Sequence, residues 1–176
     1  MAEEGQDKFT VYLDGQEGHR GNVLLHSFAS KLNRLALVLG KLERAYLGVG
    51  TRQTDFEITE VAKVNPTSVT LRAVPHVLNY NPRPAFQWSM TQIRKVGDGD
   101  APDERVTADI ADDLCKLATL ESAGGYKAFW INGYAEKVLF DEQYQERAAR
   151  LVAQRKRDLA SDRWHEGTSL GSIVGV

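Results

Sequence analysis

The stretch that decides the fold is Lys127-Ala128-Phe129-Trp130-Ile131-Asn132-Gly133-Tyr134-Ala135-Glu136-Lys137-Val138-Leu139-Phe140. Asn132-Gly133 stands between two runs rich in apolar and aromatic residues. Asn-Gly accepts positive φ at both positions, so the pair predicts a type I′ turn and an antiparallel hairpin. A second hairpin is predicted at 55–64 and 68–74, turning on Asn65-Pro66-Thr67, where proline presets φ and removes a donor. One register sets Glu60 opposite Arg72 and Val61 opposite Leu71; the residues alone leave the register open.

Upstream, residues 8–13 alternate Phe9, Val11 and Leu13 with Lys8, Thr10 and Tyr12, the period of a strand. A glycine-bearing loop follows at 14–21. A long helix is then expected from Asn22, as N-cap, to Leu47. Along it Leu25, Phe28, Leu32, Leu35, Leu39, Leu42 and Tyr46 keep an alternating three-four spacing, and Leu24, Ala29, Ala36, Val38 and Ala45 widen the stripe. Gly40 inside this helix marks an expected close approach to another backbone.

After a breaker at 79–84, Phe86, Met90 and Ile93 give a short helical period that ends at Gly97-Asp98-Gly99-Asp100. Helices are further expected from Asp103 to Ser122 and from Asp141 to Leu159. Ser169–Val176 reads as a terminal strand. Hairpins interrupted by helices give an α+β fold, with antiparallel hairpins packed against long amphipathic helices. Residues 1–168 form the expected compact domain. Residues 169–176 complete the domain's own sheet, form an edge that pairs with a partner, or start a further β-rich region. Gly167–Val176 resembles the entry into a C-terminal β domain of uncharacterised bacterial proteins, a resemblance that implies no activity.

The chain has 176 residues, 42% hydrophobic and 26% charged, with a formal net charge of -2. That balance fits a globular core and argues against a dedicated nucleic-acid binder, which carries a basic excess. One cysteine, Cys115, cannot form an internal disulfide, the N-terminus lacks the pattern of a targeting peptide, and no apolar run reaches membrane-spanning length. A cytoplasmic location is therefore the expectation.

Each candidate site has a competing structural explanation. The loop Asp14–Asn22 joins a strand to a helix N-terminus, where backbone N–H groups can hold an anion. Gly18, His19, Arg20, Gly21 and Asn22 are its candidate ligands for a phosphorylated small molecule or nucleotide. Neither the P-loop nor the G-x-G-x-x-G spacing is present. Arg20-Gly21 before a helix resembles the acetyl-CoA loop of acetyltransferases, although the strands that family places upstream are missing. The histidines are dispersed and lack helical metal-motif spacing, so no metal and no cofactor is expected. Cys115 sits beside Asp112 and Asp113, which oppose a reactive thiolate.

Asp98-Gly99-Asp100 lacks the rest of a calcium loop, and Asp109, Asp112 and Asp113 read as a solvated face. Arg147, Arg150 and Arg157 fall near one helix face and are candidate phosphate contacts, offset by Asp141, Glu142, Glu146, Asp158 and Asp162. With no catalytic constellation, the reading is a non-enzymatic interaction or regulatory module, a homodimer or the binder of a protein partner. Its expected interface is Leu25, Phe28, Leu32, Leu35 and Leu39 together with Leu170, Ile173 and Val174.

Overall fold

Phe9, Val11 and Leu13 turn inward and the residues between them turn out, so β1 (Lys8–Gly15) has one dry face. The computed structural model describes residues 7–16, 20–120, 125–133 and 136–168. After β1 come α1 (Leu25–Leu47), β2 (Thr54–Ala62), β3 (Thr67–Pro75), α2 (Arg83–Asp98), α3 (Ala108–Ala118), β4 (Tyr126–Gly133), β5 (Glu136–Leu139) and α4 (Glu142–Thr168). The fold is α+β. The strands form one sheet in the order β2-β3-β1-β4-β5, antiparallel throughout, with the first strand at its centre. The expected strand at 169–176 lies outside the described residues.

The helices cover the face that carries Phe9, Val11, Leu13, Ala73, Phe129, Ile131 and Val138. Leu35, Val38, Leu39 and Leu42 of α1 enter this core with Phe86, Met90 and Ile93 of α2, Ile110 and Leu114 of α3, and Tyr144, Ala148 and Leu151 of α4. Aromatic edges organise it. Phe9 lies 5.4 Å from Phe86 and 5.9 Å from Phe56, and Phe140 lies 4.8 Å from both Phe129 and Tyr144 between ring centroids.

Several local expectations are corrected. The Asn132-Gly133 pair is not the turn: both residues belong to β4, with Asn132 opposite Lys137 and Gly133 opposite Glu136. A Cβ at Gly133 would stand 2.5 Å from the Phe9 Cβ, so glycine is needed there for close strand approach and not for positive φ. In the β2–β3 hairpin, Val61 faces Val69, and beyond an irregularity between Ile58 and Glu60, Glu57 faces Arg72. Arg72 accordingly bonds Glu57, at 2.7 Å.

α1 starts at Leu25 and lacks a side-chain cap at Leu24, because the residues ahead of it close the preceding loop. Gly40 is met by the flexible Arg52 side chain and not by a backbone. Pro82 and Pro84 open α2, where proline suits a helix start. α3 begins late because Asp103 turns back on the Arg105 N–H and guanidinium, leaving Thr107 as the cap. α4 is capped by Asp141, which accepts from the Tyr144 N–H at 2.9 Å, and it runs beyond Leu159 to Thr168.

Candidate interaction surfaces

Among the described residues of the glycine loop after β1, several backbone donors are already bonded. Asn65, at the tip of the β2–β3 hairpin, accepts from the Gly15 N–H at 2.9 Å and donates to Asp14 at 2.9 Å. The Gln16 N–H bonds the Gly125 carbonyl and the Gly21 N–H bonds the Gln16 carbonyl, at 3.2 and 3.1 Å. Arg20 and Gly21 adopt positive φ to make this closure. With α1 starting at Leu25, Asn22 stands outside the helix terminus. Gly18 and His19 lie outside the described residues. Of the N–H groups described in this loop, those of Gly15, Gln16 and Gly21 are therefore already engaged.

The apolar seam of α1 divides. Leu35 and Leu39 are sealed in the chain's own core, so neither is available to another molecule. Phe28 and Leu32 pack partly against that core, and Leu25 is 81% exposed. Leu170, Ile173 and Val174 lie outside the described residues.

A different apolar surface is present on the edge strand. Ile58 pairs with Leu71 and Val61 with Val69, which places both on the helix-covered face of the sheet, yet they remain 63% and 55% exposed. Helix cover reaches the Thr54–Phe56 end of β2, where Phe56 lies 6.4 Å from Phe86 between ring centroids, and stops short of Ile58. Val64, 74% exposed, extends this flank at the hairpin tip. The tip adjoins the loop ahead of α1, since a Cβ at Gly21 would stand 3.3 Å from the Asn65 side chain.

The basic residues of α4 are largely engaged. Arg147 bonds the Gly97 carbonyl at the end of α2, and Arg150 bonds Glu146 at 3.3 Å. Arg155, which sequence reasoning leaves unassigned, donates to the carbonyls of Val106, Pro102 and Asp103 at 3.0 to 3.2 Å and clamps the α2–α3 connection. Arg157 is exposed.

The acids behave similarly. Lys41 lies 2.6 Å from Asp109 and 2.5 Å from Asp113, and Lys116 lies 2.5 Å from Asp112. Burial, and then Asp112, push the Cys115 thiol up, away from the reactive thiolate. Glu43 is buried and accepts from the N–H groups of Gln53 and Thr54, the Thr54 hydroxyl and the Tyr80 hydroxyl, so its lone pairs are spent on joining α1 to β2. Burial, followed by the bond to Glu43, pushes the Tyr80 phenol up to about 12. Among the described residues, no group of three or more His, Cys, Asp or Glu is placed to hold a metal ion, and no helix is long and apolar enough to cross a membrane.

Among the described residues, no helix lies over the opposite face of the sheet. That face carries Lys8, Thr10, Tyr12 and Asp14 of β1, Ser68, Thr70 and Arg72 of β3, Trp130 and Asn132 of β4, and Lys137 of β5. Tyr12 and Trp130 stack at 5.2 Å with their planes 7° apart, and the Lys137 ammonium lies 4.5 Å from the Trp130 ring centroid. Sequence reasoning misses this surface. Its signal is an aromatic residue at the polar phase of two alternating strands.

No family model, curated protein or solved structure matches the chain.

Proposed function

We propose that the chain is a protein-interaction module that self-associates through the helix-side flank of β2. The observation that carries this reading is the exposure of Ile58 and Val61 on the sheet face that the helices otherwise bury. Contiguous exposed apolar side chains on an otherwise covered face favour an intermolecular contact.

The mode of contact follows from the strand itself. Glu57 and Glu60 line β2, and the register shift between Ile58 and Glu60 distorts its edge. Charges and bulges both discourage strand-to-strand pairing. The association is therefore side chain on side chain, with a second copy presenting the same flank about a twofold axis.

Light scattering coupled to size exclusion at high micromolar concentration tests this. The wild type is expected to elute with the mass of a dimer, and Ile58→Lys with Val61→Lys with that of a monomer, circular dichroism and thermal midpoint remaining close to wild type. A wild type that stays monomeric overturns the reading.

A further inference from the structure

The strand registers arrange this opposite face in rows. One row reads Leu139, Trp130, Tyr12, Ser68 and Ala62 across β5, β4, β1, β3 and β2. The next reads Lys137, Asn132, Thr10, Thr70 and Glu60. Adjacent strands are spaced by about 4.8 Å, close to the 5.2 Å between the Tyr12 and Trp130 rings. The stack therefore steps one ring per strand.

Trp130 is flanked by Tyr12 on the β1 side and by Lys137 on the β5 side. Tyr12 has a ring neighbour only toward β4 among the described residues. Toward β3 the same row offers Ser68 and then Ala62, side chains too small to reach the height of a ring. The stack stops one ring short, above a floor bordered by the hydroxyls of Ser68 and of Thr70, the latter 3.0 Å from the Thr10 hydroxyl.

Charge on this face is uneven. Lys137 lies over Trp130, Lys127 lies 3.4 Å from Asp14, two residues from Tyr12, and Lys8 stands two rows farther along β1. The acids Glu57 and Glu60 are set apart on β2, and Glu57 is held by Arg72 at 2.7 Å. A chain with a formal charge of -2 thus places lysines near its half-buried Tyr12 and Trp130 rings. Aromatic platforms edged with lysine suit a flexible polyanion whose bases stack and whose phosphates meet ammonium groups.

We propose that this face binds single-stranded nucleic acid, one base continuing the Trp130–Tyr12 stack above Ser68 and the backbone running past Lys8, Lys127 and Lys137. The surface lies on the other side of the sheet from the Ile58–Val61 flank, so it does not depend on self-association.

Fluorescence anisotropy with short labelled oligonucleotides, single-stranded and duplex, across a salt series tests it. Single strands are expected to bind more tightly than duplex, with affinity falling as salt rises. Tyr12→Ala is expected to weaken binding about tenfold. Ser68→Phe keeps Tyr12 and fills the vacant step of the stack; it is expected to weaken binding comparably while its circular dichroism stays that of the wild type. Ile58→Lys with Val61→Lys is expected to leave binding unchanged.

Three results would overturn the proposal: no single-strand binding at low salt, binding untouched by Ser68→Phe, or binding abolished by Arg150→Glu with Arg157→Glu on α4 alone. Capture of a tyrosine- or tryptophan-bearing peptide in the Ser68 step, with no oligonucleotide bound, would also overturn it and assign the step to a protein ligand.

Discussion

The Lys31 ammonium of α1 donates to the Leu117 carbonyl in the last turn of α3, at 2.8 Å, and to the Thr119 carbonyl just beyond it, at 2.6 Å. The last carbonyls of a helix have no partner within it, and the negative end of its dipole favours a cation. Lys31 is 3% exposed and also lies over the rings of Tyr126 and Phe129, at 5.9 and 5.8 Å. One buried side chain thus joins α1, the end of α3 and β4.

Lys31→Met keeps the aliphatic stem and removes the donor. The two carbonyls lose a charged partner in a buried setting, and the expected cost is about 1–3 kcal/mol. A urea titration checks it: the midpoint should fall with the slope unchanged. A midpoint equal to wild type would show that the interaction adds nothing to stability.

Gly133 and Gly48 separate two reasons for glycine. Gly48 ends α1 with φ 68, and a Cβ added there would meet nothing within 4 Å, so Gly48→Ala carries only the backbone penalty, about 1 kcal/mol. At Gly133 the added carbon meets the Phe9 Cβ at 2.5 Å and its Cα at 2.9 Å, between paired strands that have little room to part. Gly133→Ala is expected to cost more, about 2–3 kcal/mol. Thermal midpoints of the two variants decide the order.

The Asp103 carboxyl is held well below the usual carboxylate range, chiefly by the Arg105 guanidinium and then by the Arg105 N–H. A carboxylate whose folded pKa is depressed adds stability above its unfolded pKa, about 4, and loses it as pH falls toward the folded value. The advantage of the wild type over Asp103→Asn should therefore be full at neutral pH and shrink steadily below about pH 4. Thermal midpoints of both proteins across that range test the sign, and a gap that widens in acid would refute it.

Glu43→Ala leaves two backbone N–H groups and the hydroxyls of Thr54 and Tyr80 without their acceptor. The expected loss is about 3 kcal/mol. Tyr80→Phe removes one donor and leaves the carboxylate three others, so its expected cost is smaller, about 1 kcal/mol. Chemical denaturation of the two variants measures both.

The periodic elements are legible in the residues. Phe9, Val11 and Leu13 mark β1, and the stripe through Leu35, Leu39 and Leu42 marks α1, because burial on one face leaves its period in the sequence. What covers a face leaves no such mark: Leu35 and Leu39 fit an intermolecular seam as well as they fit their own sheet. Gly133 misleads because turn geometry and close approach require the same residue. The full length of α4 is hidden because its turns beyond Leu159 carry no apolar stripe. The Tyr12–Trp130 stack is hidden for a further reason, since it exists only through the pairing of two strands distant in sequence.

The central position of β1 also orders events in time. A chain made from its N-terminus produces Lys8–Gly15 before the neighbours of that strand, which are Thr67–Pro75 and, much later, Tyr126–Gly133. Until β4 emerges, one side of β1 is bare and Phe9, Val11 and Leu13 lack half of their cover. The sheet therefore closes only after Tyr126–Gly133 has been made, and until then the nascent chain carries its central strand in wait of residues not yet added.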